Sequence, residues 1–204
     1  MGLSSRLRPG AWSRAWIAAL LCGTVVTADA WVLTVTPGAR TVYLGVGNST
    51  TNAANATINL VSVTVPSNVV GTGASQAMTS NSTQAASPFD AFTVCTPPNQ
   101  VYVGGYFREP STTANVAALQ VNTPANLSNG ADTIPFSQIS WTSTALGNAT
   151  ADIPAGTFNG ATLFLRNFAS NTYVENCHTF SYANTNVVAA GVYNGRATYT
   201  LTSP

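Results

Sequence analysis

From residue 31 onward, apolar residues take turns with threonine, asparagine and serine in short runs, and glycine, proline and asparagine interrupt these runs every few positions. Period-two alternation between turn-forming residues marks half-buried strands. In Thr41-Val42-Tyr43-Leu44-Gly45-Val46, residues Val42, Leu44 and Val46 share one face. Over 56–65 the phase shifts from Ile58 and Leu60 to Val61, Val63 and Val65, which predicts a bulge or a change of sheet near Leu60-Val61. The stretch 101–107 interleaves Val101/Val103 with Tyr102/Tyr106 and predicts a central strand covered on both faces, where Gly104-Gly105 permits a bend or a close approach. Further strands are predicted at 31–36, 116–121, 134–141, 162–168, 177–182 and 196–202. No window holds a helical period. Such short, closely spaced strands predict an all-β fold, an antiparallel β-sandwich of about nine or ten strands. Residues 71–87, rich in Ser, Gln, Asn and Thr, are expected to form a long surface loop.

The start of the chain has a different pattern. Arg6, Arg8 and Arg14 precede an apolar run over 15–26, and Ala28-Asp29-Ala30 supplies a small-residue end. This predicts a secretory signal peptide over 1–30 with cleavage before Trp31, leaving one β-sandwich domain over 31–204. The apolar run is shorter than the ~20 residues of a spanning helix, so the membrane is met only in transit. Cys22 offers a lipoprotein alternative, against which Leu21 stands where that processing wants a small residue.

Composition then narrows the partners. Residues 31–204 hold four arginines (Arg40, Arg108, Arg166, Arg196), five acids (Asp90, Glu109, Asp132, Asp152, Glu175) and no lysine, a formal charge of −1. Four scattered cations do not neutralise a phosphate backbone, so nucleic acid is excluded as a partner. The polar surface must be built from neutral Thr, Ser, Asn and Gln, a surface that tolerates burial against a neighbour and suits a crowded extracellular contact.

Two cysteines follow the leader, Cys95 and Cys177, and an even pair in an exported chain is most simply one disulfide. Metal binding with the adjacent His178 is the competing reading. It lacks the paired spacing of zinc sites, and neighbouring strand residues point to opposite faces.

Catalytic patterns are sparse. His178 is the single histidine, no Gly-x-Ser-x-Gly elbow is present, and Glu175 with Asp152 is the acid pair to test for glycoside hydrolysis. The expectation is a non-enzyme without metal or cofactor. Asn-x-Ser/Thr sites occur at Asn48, Asn55, Asn81, Asn126 and Asn148.

The segment Val187-Val188-Ala189-Ala190-Gly191-Val192-Tyr193-Asn194-Gly195-Arg196-Ala197-Thr198-Tyr199-Thr200-Leu201-Thr202-Ser203-Pro204 runs a glycine-bounded turn into a last alternating strand, with Ala197, Tyr199 and Leu201 on one face. It resembles the close of exported bacterial fimbrial, pilin-like or coat-type subunits, whose last strand follows an Ala-Gly-x-Tyr turn. Gly191 matches the glycine such subunits carry before that strand, and Tyr199 is the nearest counterpart of their late tyrosine. Near residue 31, Trp31, Leu33 and Val35 are similar to the donor strand these subunits lend to a neighbour. The cysteines depart from the pattern, since classical pilins pair theirs early in the fold.

The resemblance implies an immunoglobulin-like or pilin-like sandwich, secreted to the cell surface. There it serves as a structural subunit of a fimbria, pilus or filament that polymerises with its own kind through edge or donated strands. A periplasmic chaperone is the implied partner on the way. The alternative is a monomeric secreted binding module, carbohydrate-directed, with Trp141 and the aromatics Tyr102, Tyr106 and Phe107 stacking on sugar rings.

Overall fold

The computed structural model describes residues 33–48, 59–110, 114–146 and 150–204. In chain order the first strands are β1 (Leu33–Thr34), β2 (Thr41–Val46), β3 (Val61–Ser62), β4 (Gln76–Ala77), β5 (Thr79–Ser80), β6 (Val101–Arg108) and β7 (Val116–Asn122). They are followed by β8 (Asn126–Asn129), β9 (Asp132–Pro135), β10 (Ile139–Ser143), β11 (Gly156–Thr157), β12 (Thr162–Ala169), β13 (Thr172–Tyr182) and β14 (Thr198–Thr202). Nine of these exceed two residues, in keeping with the strand number that the alternation predicts.

The eleven-residue β13 is the spine of the larger sheet. One flank carries β6 opposite residues 172–177 and β4 opposite Ser181 and Tyr182; the other carries β1 opposite Thr172 and Tyr173 and β10 opposite 178–182. Beyond β6 lies β2 and beyond β10 lies β11, all antiparallel. The second sheet is β12-β7-β14, also antiparallel, and the two ribbons β3-β5 and β8-β9 complete the pairing.

Alternation decides what lies between the sheets. Val174, Phe180 and Tyr182 of β13 and Val101, Val103 and Phe107 of β6 pack against Ala117, Leu119 and Val121 of β7 and Leu165 and Phe168 of β12. The residues between them point to the outer face, where Tyr102, Tyr106 and Tyr173 are nevertheless buried. They are covered there by the segment 81–96, which the Cys95–Cys177 disulfide fastens to β13 with a Cα–Cα distance of 5.5 Å. The central strand buried on both faces is thus β6, as its interleaved apolar sets require.

Several expected boundaries differ. The predicted strand 134–141 is two strands, because β9 ends at Pro135, which has no N–H to donate, and a 3-10 turn over Phe136–Gln138 drops Phe136 into the core. The expected loop 71–87 contains β4 and β5 with Met78 buried between them. β13 begins five residues before the expected 177, since Tyr173 and Val174 are buried on opposite faces. Only Val61–Ser62 of the predicted strand 56–65 forms a strand among the described residues, while 56–58 lies outside them.

Candidate functional site

The outer face of the larger sheet holds the densest chemistry. Cross-strand registry places Tyr43, Tyr106 and Tyr173 in one row over β2, β6 and β13, with ring centroids 5.6 Å and 6.3 Å apart. Phe89 of the covering segment stacks on Tyr173 at 4.5 Å, and Leu33 and Val35 close the row. Two residues along β13, Glu175 lies half-buried on the same face, and Cys177 follows after another two.

Glu175 is part of a hydrogen-bonded run. Tyr102 Oη donates to Glu175 Oε2 at 2.9 Å, and the hydroxyls of Tyr102 and Tyr173 meet in a short contact. Gly104, the cross-strand partner of Glu175, leaves room for this: a β-carbon there would overlap Tyr102 Oη and come within 2.7 Å of Glu175 Cβ. Burial pushes the Glu175 carboxyl above the usual range; hydrogen bonds from Ser87 and Tyr102 oppose the shift and the Asp90 charge adds to it. Burial likewise raises the Tyr102 and Tyr173 phenols far above their ordinary value.

The acid pair Glu175 and Asp152 is not brought together. Asp152 pairs with Arg166 of β12, and the next residue, Ile153, donates its N–H to Asn176 Oδ1 at 2.6 Å. Asn176 and Glu175 are consecutive on a strand, so the two carboxylates stand on opposite faces of the sheet. His178 also faces away from the disulfide: it is fully buried, stacks with Trp141 at 5.8 Å, and neither ring nitrogen has a protein partner among the described residues. Desolvation lowers its pKa to about 3.

The aromatic residues expected to stack on sugar rings are buried. Trp141 is 2% exposed, packs on Phe158 and donates Nε1–H to the Pro154 carbonyl at 2.9 Å. Tyr102, Tyr106 and Phe107 are buried as well. Aromatic residues that alternate along a strand between two covered faces have no face left for a ligand.

Of the candidate donor strand, Trp31 lies outside the described residues. Leu33 pairs with Tyr173, and buried Val35 donates its N–H to the Asn171 carbonyl at 2.8 Å, so this segment is docked on its own chain. Gly191 sits in the turn before β14, against Asn129 of the β8-β9 ribbon, where a β-carbon would collide with Asn129 Nδ2. Tyr199 and Leu201 of β14 both turn toward the core. The acceptor Asn81 uses its Oδ1 to receive the Leu60 N–H at 2.8 Å and Asn48 Oδ1 receives the Thr83 N–H at 2.7 Å, while Asn126 is exposed. Asn55 and Asn148 lie outside the described residues.

Edges are the other notable feature. β12 pairs only with β7 among the described residues, and it carries a register shift between Phe164 and Arg166 together with the Arg166–Asp152 ion pair. Bulges and charges of this kind discourage foreign strands from pairing. β14 also pairs only with β7 among the described residues, but its Thr198-Tyr199-Thr200-Leu201-Thr202 holds no charge, proline or register shift. That edge runs near β2, where Arg40 Nη1 donates to the Pro204 carbonyl oxygen at 2.8 Å.

Fold and site together define an antiparallel β-sandwich with a disulfide-fastened strap on one face and a β14 edge that, among the described residues, pairs with β7 alone. Comparison of the chain with protein-family models, curated proteins and solved structures finds no match.

Proposed function

We propose that the protein is an exported structural subunit that assembles with its own copies at the bacterial cell surface, pairing through the β14 edge. The observation that carries this reading is the contrast between the two edges of the smaller sheet. β12 bears a bulge and an ion pair, whereas β14 bears neither and presents Thr198, Thr200 and Thr202 outward. An edge of this kind is a template for another strand. A surface almost without charge supplies no long-range repulsion between copies.

Docking of Leu33 and Val35 in cis favours this edge over a donated N-terminal strand, because donation must first break contacts that the segment already makes. Sedimentation of the Thr200→Lys/Thr202→Lys variant separates the two routes. Both side chains are exposed, so folding stability should change by less than about 0.5 kcal/mol while association is lost. Assembly that survives the lysines but disappears on deletion of residues 31–36 would assign the contact to the N-terminal strand instead.

A further inference from the structure

Five buried side-chain atoms find no hydrogen-bond partner among the described residues: both ring nitrogens of His178, Ser143 Oγ, Tyr199 Oη and Thr123 Oγ1. Strand register gathers them. Ser143 is the cross-strand partner of His178 and continues the core-facing set Ile139 and Trp141 of β10. On the facing sheet, Tyr199 of β14 pairs with Val121 of β7, and buried Thr123 lies two residues past Val121, just beyond the end of that strand. The rings of His178 and Tyr199 approach to 6.5 Å across the core, tilted by 49°, with no hydrogen bond between them.

A hydroxyl or imidazole that leaves solvent needs another partner, and native cores supply one for the large majority of such groups. An isolated exception would carry little weight. Here the exceptions come from both sheets and meet at one pair of rings, which points to a shared occupant. That occupant is small and neutral. Trp141 and Phe180 pack around the imidazole, and among the described residues no charged group acts on either ring: burial alone lowers the pKa of His178 and raises that of Tyr199. An ion would enter this place without a counter-charge. Water meets the chemistry, because a neutral imidazole carries one N–H and one bare nitrogen, a phenol both donates and accepts, and water does the same twice over.

We propose that His178 and Tyr199 hold an internal water between the two sheets, one that bridges β13 to β14 and draws Ser143 into the same hydrogen-bonded set. An enclosed water requires roughly two to four polar partners, and these side chains provide them. The bridge gives β14 a polar tie to the larger sheet in addition to its ladder on β7. It is independent of whatever pairs with the outer edge of β14, since Tyr199 turns inward. One enclosed water satisfies a neutral imidazole without solvating an imidazolium, so His178 remains neutral.

The intact, oxidised chain is sufficient for the first measurement. His178 is its single histidine, so a labelled imidazole gives one set of resonances. Rotating-frame Overhauser spectra should show contacts from the water frequency to the carbon-bound ring protons of His178 and Tyr199, with the sign and ratio of a water that stays for nanoseconds or longer. Oxygen-17 relaxation dispersion then counts long-lived waters without interference from exchanging hydroxyl protons. Tyr199→Phe keeps the ring and removes the hydroxyl, and should lower the dispersion amplitude by about one water. Absence of water contacts at His178 in the wild type, a scalar coupling that shows the imidazole bonded directly to the Tyr199 hydroxyl, or equal amplitudes in the two chains would overturn the proposal.

Discussion

His178 brings two nitrogens into a core where no protein group among the described residues meets them, and its ring lies between Trp141 and Phe180. Burial therefore holds it neutral, with a pKa of about 3 in place of about 6.5. Because the folded value is depressed, its stabilising contribution is whole above pH 6.5 and drains away as pH falls toward 3. Acid titration of unfolding free energy should show this slope, and His178→Leu should flatten it while leaving stability at neutral pH within about 1.5 kcal/mol. An unchanged slope in the variant would mean that the ring is reached by water. Glu175 works in the opposite sense, since its raised value favours the fold in acid. The side His178 takes was legible once the disulfide is granted: Cys177 faces the strap, so its neighbour must face the core. The hydrogen-bonded run at Glu175 was not legible, because Tyr102 reaches it through the β6–β13 register and Ser87 through the packing of the strap, both from parts of the chain far from residue 175.

Elements with strong alternation announced themselves. β2, β6, β7, β12 and β14 begin and end close to the limits their apolar phase indicates. The two-residue strands β4 and β11 escaped because so short a stretch contains no period; each exists as an extra partner for a longer strand, β4 on β13 and β11 on β10. β8, with the sequence Asn-Leu-Ser-Asn, is polar enough to read as a turn and is a strand only through its ladder to β9. The strap was legible only as a disulfide, with no indication of which face it would cover. Closing 82 residues of separation restricts the unfolded chain by on the order of 4 kcal/mol. Reduction under native conditions should accordingly lower the melting temperature by roughly 10 °C and leave the far-ultraviolet spectrum of a β-protein below the new midpoint. Loss of all β signal on reduction at low temperature would show that the sandwich does not stand without its strap.

At the scale of the whole molecule, a sandwich with few charges relies on neutral amides and hydroxyls for its surface. That composition, read along the chain, pointed to a protein that lives in contact with neighbours; the structure adds an edge strand without the usual deterrents beside one that has them. Exposed apolar side chains are scattered over the surface, at Leu60, Phe92, Phe164, Val187 and Val192. The sugar-binding alternative loses its aromatic platform to the core, while β14 offers backbone groups and a row of threonines. The most direct test is the native mass of the purified protein, with negative-stain images of the same sample. The account predicts a ladder of multimers or a filament that the β14 lysine variant reduces to single subunits. A monodisperse monomer across the micromolar range would contradict it.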